Sequence, residues 1–263
     1  MTKDEDILSE EGNMTLIDHL IELRDRLVYS MIAVGVCFLV TFYYNEHIWN
    51  MLVEPVQDAL ETSGKGSMAV HSLLEGILNQ IKVGFLGAIL CASPIVSYQA
   101  WLYIAPALYP SEKNLILPMA IASTILFLLG VSFGYFVIFE FIFVFLLEQS
   151  QENVTAVISI NDILSTTTKL LTGFGFTFQL PVIAFFLSRV GLIDHIDMLQ
   201  FFRYAIVGIF VVSAFLTPPD PLSQLLMSIP LCVLYVVGIG VAWIFTTKER
   251  VEQNTEMIQS DQE

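Results

Sequence analysis

Residues 204–245 read YAIVGIFVVSAFLTPPDPLSQLLMSIPLCVLYVVGIGVAWIF, which is two apolar segments separated by the motif TPPDP. Proline lacks the backbone N–H that a helix interior needs, so the prolines of this motif cannot continue a helix. Apolar segments of this kind are typical of helices that cross a membrane. The stretch therefore predicts two membrane-spanning helices joined by a tight turn.

The composition of the whole chain indicates the same class of protein. Of its 263 residues, 55% are hydrophobic and 14% are charged, and the mean hydropathy is +0.70. Soluble domains carry about 25% charged residues, so the chain is predicted to be a polytopic membrane protein. We expect six spans, at about residues 27–44, 81–104, 115–139, 170–190, 204–216 and 222–245.

The fifth predicted span is short. It offers about 13 apolar residues, fewer than the roughly 20 that a bilayer core requires. Either Phe201 and Phe202 extend it, or the bilayer is thinner around it.

The basic residues predict how the spans are oriented. Six spans place both termini on one side, and a cytoplasmic N-terminus puts eight Lys and Arg residues there and three at or near the other face. This distribution follows the positive-inside rule, so both termini are predicted to be cytoplasmic. The eight are Lys3, Arg24, Arg26, Lys113, Arg189, Arg203, Lys248 and Arg250, and the three are Lys65, Lys82 and Lys169.

The connections and prolines predict the shape of the bundle. Long outer segments at about 45–80 and 140–169 predict a cap, and apolar residues at helical spacing from Leu73 to Ile81 predict a helix along the interface. Pro94 and Pro118 are expected to bend their helices, with neighbouring groups satisfying the freed carbonyls. The predicted fold is an all-α integral membrane protein, in which six bent transmembrane helices form a concave bundle with an outer-side cap.

The chain is expected to form a single membrane domain, residues 1–263. Its parts are an acidic N-terminal tail (1–15), a six-helix core (16–246) and an acidic C-terminal tail (247–263). Residues 1–26 carry 8 acidic and 3 basic residues and residues 248–263 carry 5 acidic and 2 basic ones, so these ends hold about half of the net charge of −15. Their composition is typical of solvated, disordered ends. This acidity argues against nucleic acid as a partner. The polar, acidic start predicts no cleavable signal peptide.

The segment HLIELRDRL (19–27) precedes the first span and is amphipathic. On a helix, Leu20, Leu23 and Leu27 fall within roughly 40° of Leu16 and form an apolar stripe. The polar face carries Glu22, Asp18, Asp25, Arg26 and His19. Arg24 falls on the apolar side, so it is expected to snorkel or to clamp buried acceptors, while Glu22 can pair with Arg26 four residues on. The alternative is that these residues are ordinary interfacial charges.

HLIELRDRL is the first of four motifs that carry a resemblance to a known family. SPIVSYQAWLYIAPALYPSEKN (93–114), FGFTFQLPV (174–182) and LTPPDPLSQLLMSIPL (216–231) follow in order. Over nearly its whole length the chain resembles TatC, the C subunit of the twin-arginine protein translocase. The resemblance implies a cytoplasmic-membrane receptor for paired-arginine signal peptides. It also implies export of folded proteins by the proton-motive force, single-span TatA- and TatB-type partners, contact with membrane lipid and a homo-oligomer within the complex.

Glu22 and Glu112 are the acids that the resemblance assigns to signal-peptide recognition. Two guanidinium groups require planar anionic partners, and few other acids flank the bundle. Without the resemblance, the favoured interpretation of Glu112 is a solvated loop acid or a helix-start residue before the third span. Gln99 and Tyr103 are further candidates, and Tyr103 stands where the family commonly has phenylalanine.

Gln179 is the fifth candidate for signal-peptide binding. Many family members have glutamate there, but glutamine cannot ionise, which argues against a mechanism that requires protonation at this position. Docking of a peptide and packing near Pro181 remain equal alternatives. Structural or partner contacts are expected from Arg24, Pro55, Asp220 and Gln224, and Asp220 is also a candidate helix N-cap.

The sequence lacks the motifs of an enzyme. SGKGS (63–67) does not have the spacing of a phosphate-binding loop, and there is no HExxH, GxSxG or Cys/His cluster. No catalytic residue, cofactor or metal is therefore predicted. The alternatives to a translocase receptor are a secondary transporter or channel for small solutes, and a membrane assembly factor.

Overall fold

The computed structural model describes residues 16–63, 66–69, 72–107, 113–142, 156–217 and 221–260. Eight α-helices occur in these ranges: α1 (Leu16–Tyr43), α2 (Asn45–Ser63), α3 (Leu73–Ile104), α4 (Ile116–Phe133), α5 (Ile160–Thr177), α6 (Leu180–Arg189), α7 (His195–Leu216) and α8 (Pro221–Ser260). Helix α4 continues as a π-helix over Gly134–Phe139, and 3₁₀ turns cover Ala105–Ala107 and Lys113–Leu115. Strands β1 (Gly66–Ala69) and β2 (Ala156–Ser159) pair in parallel, Gly66 opposite Ala156.

Six helical segments are long and apolar enough to cross a membrane. They are Ile17–Tyr43, Leu74–Ile104, Ile116–Ile142, Ile160–Arg189, His195–Leu216 and Pro221–Ile244. The prediction of a six-span helical protein is confirmed, with a four-residue strand pair in addition. We call the end of the bundle where α1 begins the proximal end and the end where α1 stops the distal end. Because successive spans alternate in direction, α3 finishes and α4 starts at the proximal end.

The cap at the distal end is built differently from the prediction. Residues Leu73–Ile81 do not form a separate interfacial helix; they are the first turns of α3, capped by Ser72, whose side chain accepts a hydrogen bond from the Leu74 amide. Their apolar pattern runs on into the span without a break, so nothing ends the helix between them. In the part of the chain that the structure describes, the cap includes α2, β1 and β2, and Val56 and Leu60 of α2 are buried there.

The two prolines that were expected to bend their helices, Pro94 and Pro118, occupy different positions in the structure. Pro94 lies inside the continuous helix α3, and the Ser93 hydroxyl donates to the carbonyl of Leu90 at 2.8 Å. That carbonyl is the one that the missing N–H of Pro94 leaves free, so the expected compensation is present. Pro118, in contrast, is the third residue of α4, where no N–H is needed. The expectation that Pro118 bends a span is therefore wrong.

The fifth span is longer than predicted. Helix α7 has 22 residues and begins at His195. Asp194 and Asp197 form a capping box, in which the Asp194 side chain accepts from the His195 amide at 2.7 Å and Asp197 accepts from the Asp194 amide at 3.1 Å. The alternative that residues before Tyr204 extend the span is correct, since α7 starts well ahead of it.

Helix α8 runs past the predicted end of the core. It continues to Ser260, so residues 247–260 are helical rather than irregular. Lys, Glu, Arg and Gln, which dominate this segment, are good helix formers, and their charge does not prevent a helix that the preceding span has already nucleated.

The core lies among α3, α4, α5 and α8. Phe174 is 1% exposed and Met227 is fully buried, and Leu86 and Leu231 pack in the same cluster. Small residues permit this close packing: a Cβ at Gly130 would lie 2.6 Å from the Phe174 carbonyl oxygen. Helix α1 lies outside the core and packs mainly on α3.

Candidate functional site

An acidic pocket opens at the proximal end, on the polar face of α1. It has a volume of about 400 Å³ and is lined by Asp18, Ile21, Glu22, Asp25, Arg26 and Tyr29. Three carboxylates and one guanidinium face this space. Four-residue and three-residue spacing on a helix brings these side chains to one side, so the periodicity of α1 explains why they lie together.

Glu22 and Arg26 form the centre of this pocket. Arg26 Nη2 donates to Glu22 Oε1 at 3.2 Å, and its Nη1 donates to Gln99 Oε1 of α3 at 3.2 Å. The side chains of Glu22 and Arg26 are 20% and 30% exposed. The second carboxylate oxygen of Glu22, Oε2, is buried and has no hydrogen-bond partner. Glu22, which lines the pocket, thus has one buried carboxylate oxygen that lacks a hydrogen-bond donor.

Tyr103 adds an aromatic contact between α3 and α1 beside this pocket. Its ring stacks on His19, with ring centroids 4.5 Å apart and an interplanar angle of 16°. Gln99, one turn earlier on α3, faces the same helix. The structure therefore brings together three of the predicted residues, Glu22, Gln99 and Tyr103.

Gln179 lies apart from them, between α5 and α6. Its Nε2 donates to the carbonyl of Ser123 on α4 at 2.9 Å, and the Ser123 hydroxyl accepts from Trp101 Nε1 at 2.8 Å. These bonds link α3, α4 and the α5–α6 break within the bundle. The amide therefore takes part in packing across helices, and it does not satisfy carbonyls that Pro181 frees in its own helix.

Gln224 and Pro55 make structural contacts within the chain. Gln224 Nε2 donates to the carbonyl of Phe210 at 3.0 Å and joins α8 to α7. Pro55 lies inside α2, where its missing N–H leaves the carbonyl of Met51 free; the hydroxyl of Tyr135 donates to that carbonyl. Each contact joins two helices.

Arg24 does not occupy the position expected of a clamp. Its side chain is 69% exposed and pairs with the neighbouring Asp25 at 2.7 Å. The prediction that it reaches buried acceptors is wrong, because a long side chain at the edge of the apolar stripe turns more easily towards a carboxylate in the polar face. The residue that joins α1 to α3 is Arg26.

Two of the predicted site residues lie outside the described residues. They are Glu112 and Asp220. Asp194 and Asp197, which also lie at the proximal end, are engaged in the capping box of α7.

Sequence reasoning did not name Asp18, Asp25 and Arg26 as site residues. The signal was present, because the helical periodicity already put all three on the polar face with Glu22. The sequence alone could not show that this face is more than a solvated surface. The fold shows it, because Gln99 of α3 accepts a hydrogen bond from Arg26 on this face.

The fold and the pocket define a class: a polytopic helical membrane protein with an acidic pocket at one end of its bundle. A family model described as "Sec-independent protein translocase protein (TatC)" matches residues 18–230. The chain belongs to this family and is a subunit of a twin-arginine protein translocase. The family is one of membrane transport components, which favours the translocase prediction over a small-solute transporter or an assembly factor.

Curated relatives and solved structures agree with this assignment. The chain is 40% identical to the Sec-independent protein translocase protein TatC of Helicobacter pylori (strain ATCC 700392 / 26695) over 236 residues, 90% of each chain. It is 35% identical to that of Escherichia coli (strain K12) over 243 residues, 92% of this chain and 93% of the relative. A crystal structure of the twin arginine translocase receptor TatC in DDM matches with a TM-score of 0.78 and 33% identity, covering 85% of this chain and 99% of that one.

Proposed function

We propose that this subunit is the signal-peptide receptor of its translocase and that the acidic pocket on α1 binds the paired arginines. Glu22 carries the proposal. Its Oε2 is buried without a donor, and its Oε1 accepts a single bond from Arg26. A carboxylate with one unused oxygen favours a guanidinium, which supplies two parallel N–H donors.

Arg26 acts in this proposal as an internal substitute for a signal arginine. It contacts one oxygen of Glu22 at 3.2 Å and shares its other donor with Gln99. A guanidinium that approaches through the pocket can engage both oxygens, so it is expected to displace Arg26. Asp18 and Asp25 line the same pocket and supply negative charge for the second arginine.

The remaining predicted residues have supporting roles in the proposal. Tyr103 and Gln99 of α3 contact His19 and Arg26 of α1 beside the pocket, and they are proposed to flank the bound peptide. Glu112 is the proposed second acid at this end. Gln179 lies deeper; its amide nitrogen is used by Ser123, which leaves its carbonyl oxygen to accept a bond from a peptide backbone.

The proposal also covers the orientation of the subunit in the membrane and its partners. The proximal end is proposed to face the cytoplasm, with both termini there, in the cytoplasmic (inner) membrane; the excess of Lys and Arg at this end supports it. The proposed partners are single-span TatA- and TatB-type subunits, contacted near Asp220 and Gln224, and further copies of this chain. Export of folded cargo is proposed to use the proton-motive force, with no catalytic residue, cofactor or metal in the subunit.

The test is binding of a paired-arginine signal peptide to the full chain in lipid nanodiscs. The peptide carries a photo-crosslinker, and an otherwise identical Lys-Lys peptide is compared with it. The variants are Glu22→Gln and Glu112→Gln. Glu54→Gln is the matched control, because Glu54 is an exposed acid on α2 at the other end of the bundle.

We expect wild type and Glu54→Gln to prefer the Arg-Arg peptide, and Glu22→Gln to lose most of the crosslinking. Equal crosslinking of both peptides by every variant would refute recognition through these carboxylates. Absence of binding by wild type, with its partner subunits present, would refute the receptor function itself.

A further inference from the structure

A second pocket lies at the distal end, where α1 passes into α2. It has a volume of about 330 Å³ and is lined by Phe42, Asn45, Glu46, Trp49 and Gln80. Its residues come from α1, α2 and α3, and none of them takes part in the acidic pocket at the proximal end.

Asn45 gives this pocket an unmet requirement for a hydrogen-bond donor. The residue is only 9% exposed, and its side-chain Nδ2 donates to the carbonyl of Gln80 at 3.0 Å. Its Oδ1 is buried and has no partner. Because an amide oxygen only accepts, the group that completes this site has to bring an N–H or O–H. Leaving such an oxygen unpaired is costly, so the requirement is a strong one.

The charge of the pocket favours a cation. Glu46 lies in its wall, and the described part of α2 contains no Lys or Arg. The nearest lysine on α3, Lys82, is directed at α5, where its Nζ donates to Asn161 and to Ser165. The N-terminus of α2 contributes roughly half a positive charge, which the full charge of Glu46 exceeds.

The aromatic walls of the pocket and its position relative to the bilayer indicate which kind of cation it could bind. Phe42 and Trp49 provide aromatic surface, which attracts ammonium groups. Tyr43 and Tyr44, next to the pocket, are 82% and 57% exposed at the end of the first span. Tyrosines at the end of a span are typical of the headgroup region of a bilayer. The pocket therefore lies at the depth where lipid headgroups are the most concentrated solutes.

We propose that this pocket binds the primary ammonium of a phospholipid headgroup, of the kind found in phosphatidylethanolamine. One N–H donates to Asn45 Oδ1, the charge is balanced by Glu46, and the aromatic walls cover the methylene groups. A quaternary choline headgroup keeps the charge but has no N–H to donate, so it leaves Asn45 unsatisfied. The site thus discriminates between two lipids of equal charge.

The test is native mass spectrometry of the full chain in detergent. Phosphatidylethanolamine, phosphatidylcholine and phosphatidylglycerol with identical acyl chains are added in equal amounts, and the bound fraction of each is measured. The variants are Glu46→Gln and Asn45→Leu, and Glu54→Gln is the matched control, an exposed acid of the same helix that does not line the pocket. Circular dichroism during heating checks that each variant is folded.

We expect wild type to retain the ethanolamine lipid roughly two- to tenfold over the choline lipid, the value of one hydrogen bond. Glu46→Gln is expected to lower its retention about two- to fivefold, and Glu54→Gln to leave it unchanged. Asn45→Leu is expected to abolish the difference between the two lipids; if that variant does not fold, Glu46→Gln alone decides. Equal retention of all three lipids by wild type would overturn the proposal, as would displacement of the lipid by a soluble lysine-bearing peptide at equal concentration.

Discussion

Displacement of Arg26 is the most demanding consequence of the proposed recognition, because it predicts that removing an ion pair within the chain improves binding of the signal peptide. Arg26 and Glu22 are four residues apart on one helix, 3.2 Å from each other and partly exposed. Such pairs are worth about 0.3–0.5 kcal/mol. In Arg26→Gln the peptide no longer has to break this ion pair in order to reach Glu22. The affinity for a paired-arginine peptide should therefore rise by the same free energy, which is about twofold.

Glu22→Gln changes affinity in the opposite direction and by more. It removes a charged acceptor that the incoming guanidinium would use, and a hydrogen bond to a charged group contributes about 1.5–3 kcal/mol. The affinity should fall roughly 10- to 150-fold. In the double variant the gain from Arg26→Gln should vanish, because the carboxylate of Glu22 with which Arg26 competes for the peptide is no longer present.

The assay is fluorescence anisotropy of a labelled Arg-Arg signal peptide titrated with the full chain in nanodiscs, for wild type, both single variants and the double variant. A tenfold loss of affinity in Arg26→Gln would refute the competition argument. Arg26 would then hold Glu22 and Gln99 in a binding geometry, and it would be a positioning residue.

Two further predictions test the packing that supports the pocket. Gly130→Ala should lower the free energy of unfolding by about 1–3 kcal/mol, because the added Cβ would lie 2.6 Å from a backbone oxygen of α5. Gly208→Ala is the control and should be neutral or stabilising, because nothing lies within 4 Å of its Cβ position. Thermal unfolding in detergent measures both variants, and equal melting temperatures would contradict the close packing at Gly130. Tyr135→Phe should lower the free energy of unfolding by about 1 kcal/mol, because it removes the donor to the Met51 carbonyl, which Pro55 four residues later cannot supply. Unchanged melting of this variant would mean that solvent satisfies the carbonyl equally well.

Several features of the fold were predictable because they depend on neighbouring residues. Ser93 beside Pro94 supplies the hydroxyl that the freed Leu90 carbonyl requires, as was expected of some neighbouring group. The start of α7 was not predicted, because Asp194 and Asp197 look like loop acids until they are recognised as a capping box. Acidic residues at a helix start and in a loop have the same composition, and only the backbone geometry separates them.

The candidate site was predictable in part for the same reason. The periodicity of α1 placed Glu22 and Arg26 on one polar face, and their hydrogen bond is present. The direction of the Arg24 side chain was predicted wrongly. Arg24 lies at the boundary between the polar and apolar faces of α1, and its side chain turns to the polar face because it pairs with Asp25.

The sequence by itself determined the membrane class, the six spans and the polar face of α1, because hydropathy and helical period are local properties. Tertiary structure decided which side chains meet across helices. Arg26 and Gln99 are 73 positions apart, and the buried oxygen of Asn45 depends on the approach of α3. Such contacts depend on how helices rotate and approach one another, and close packing of the whole bundle sets those quantities.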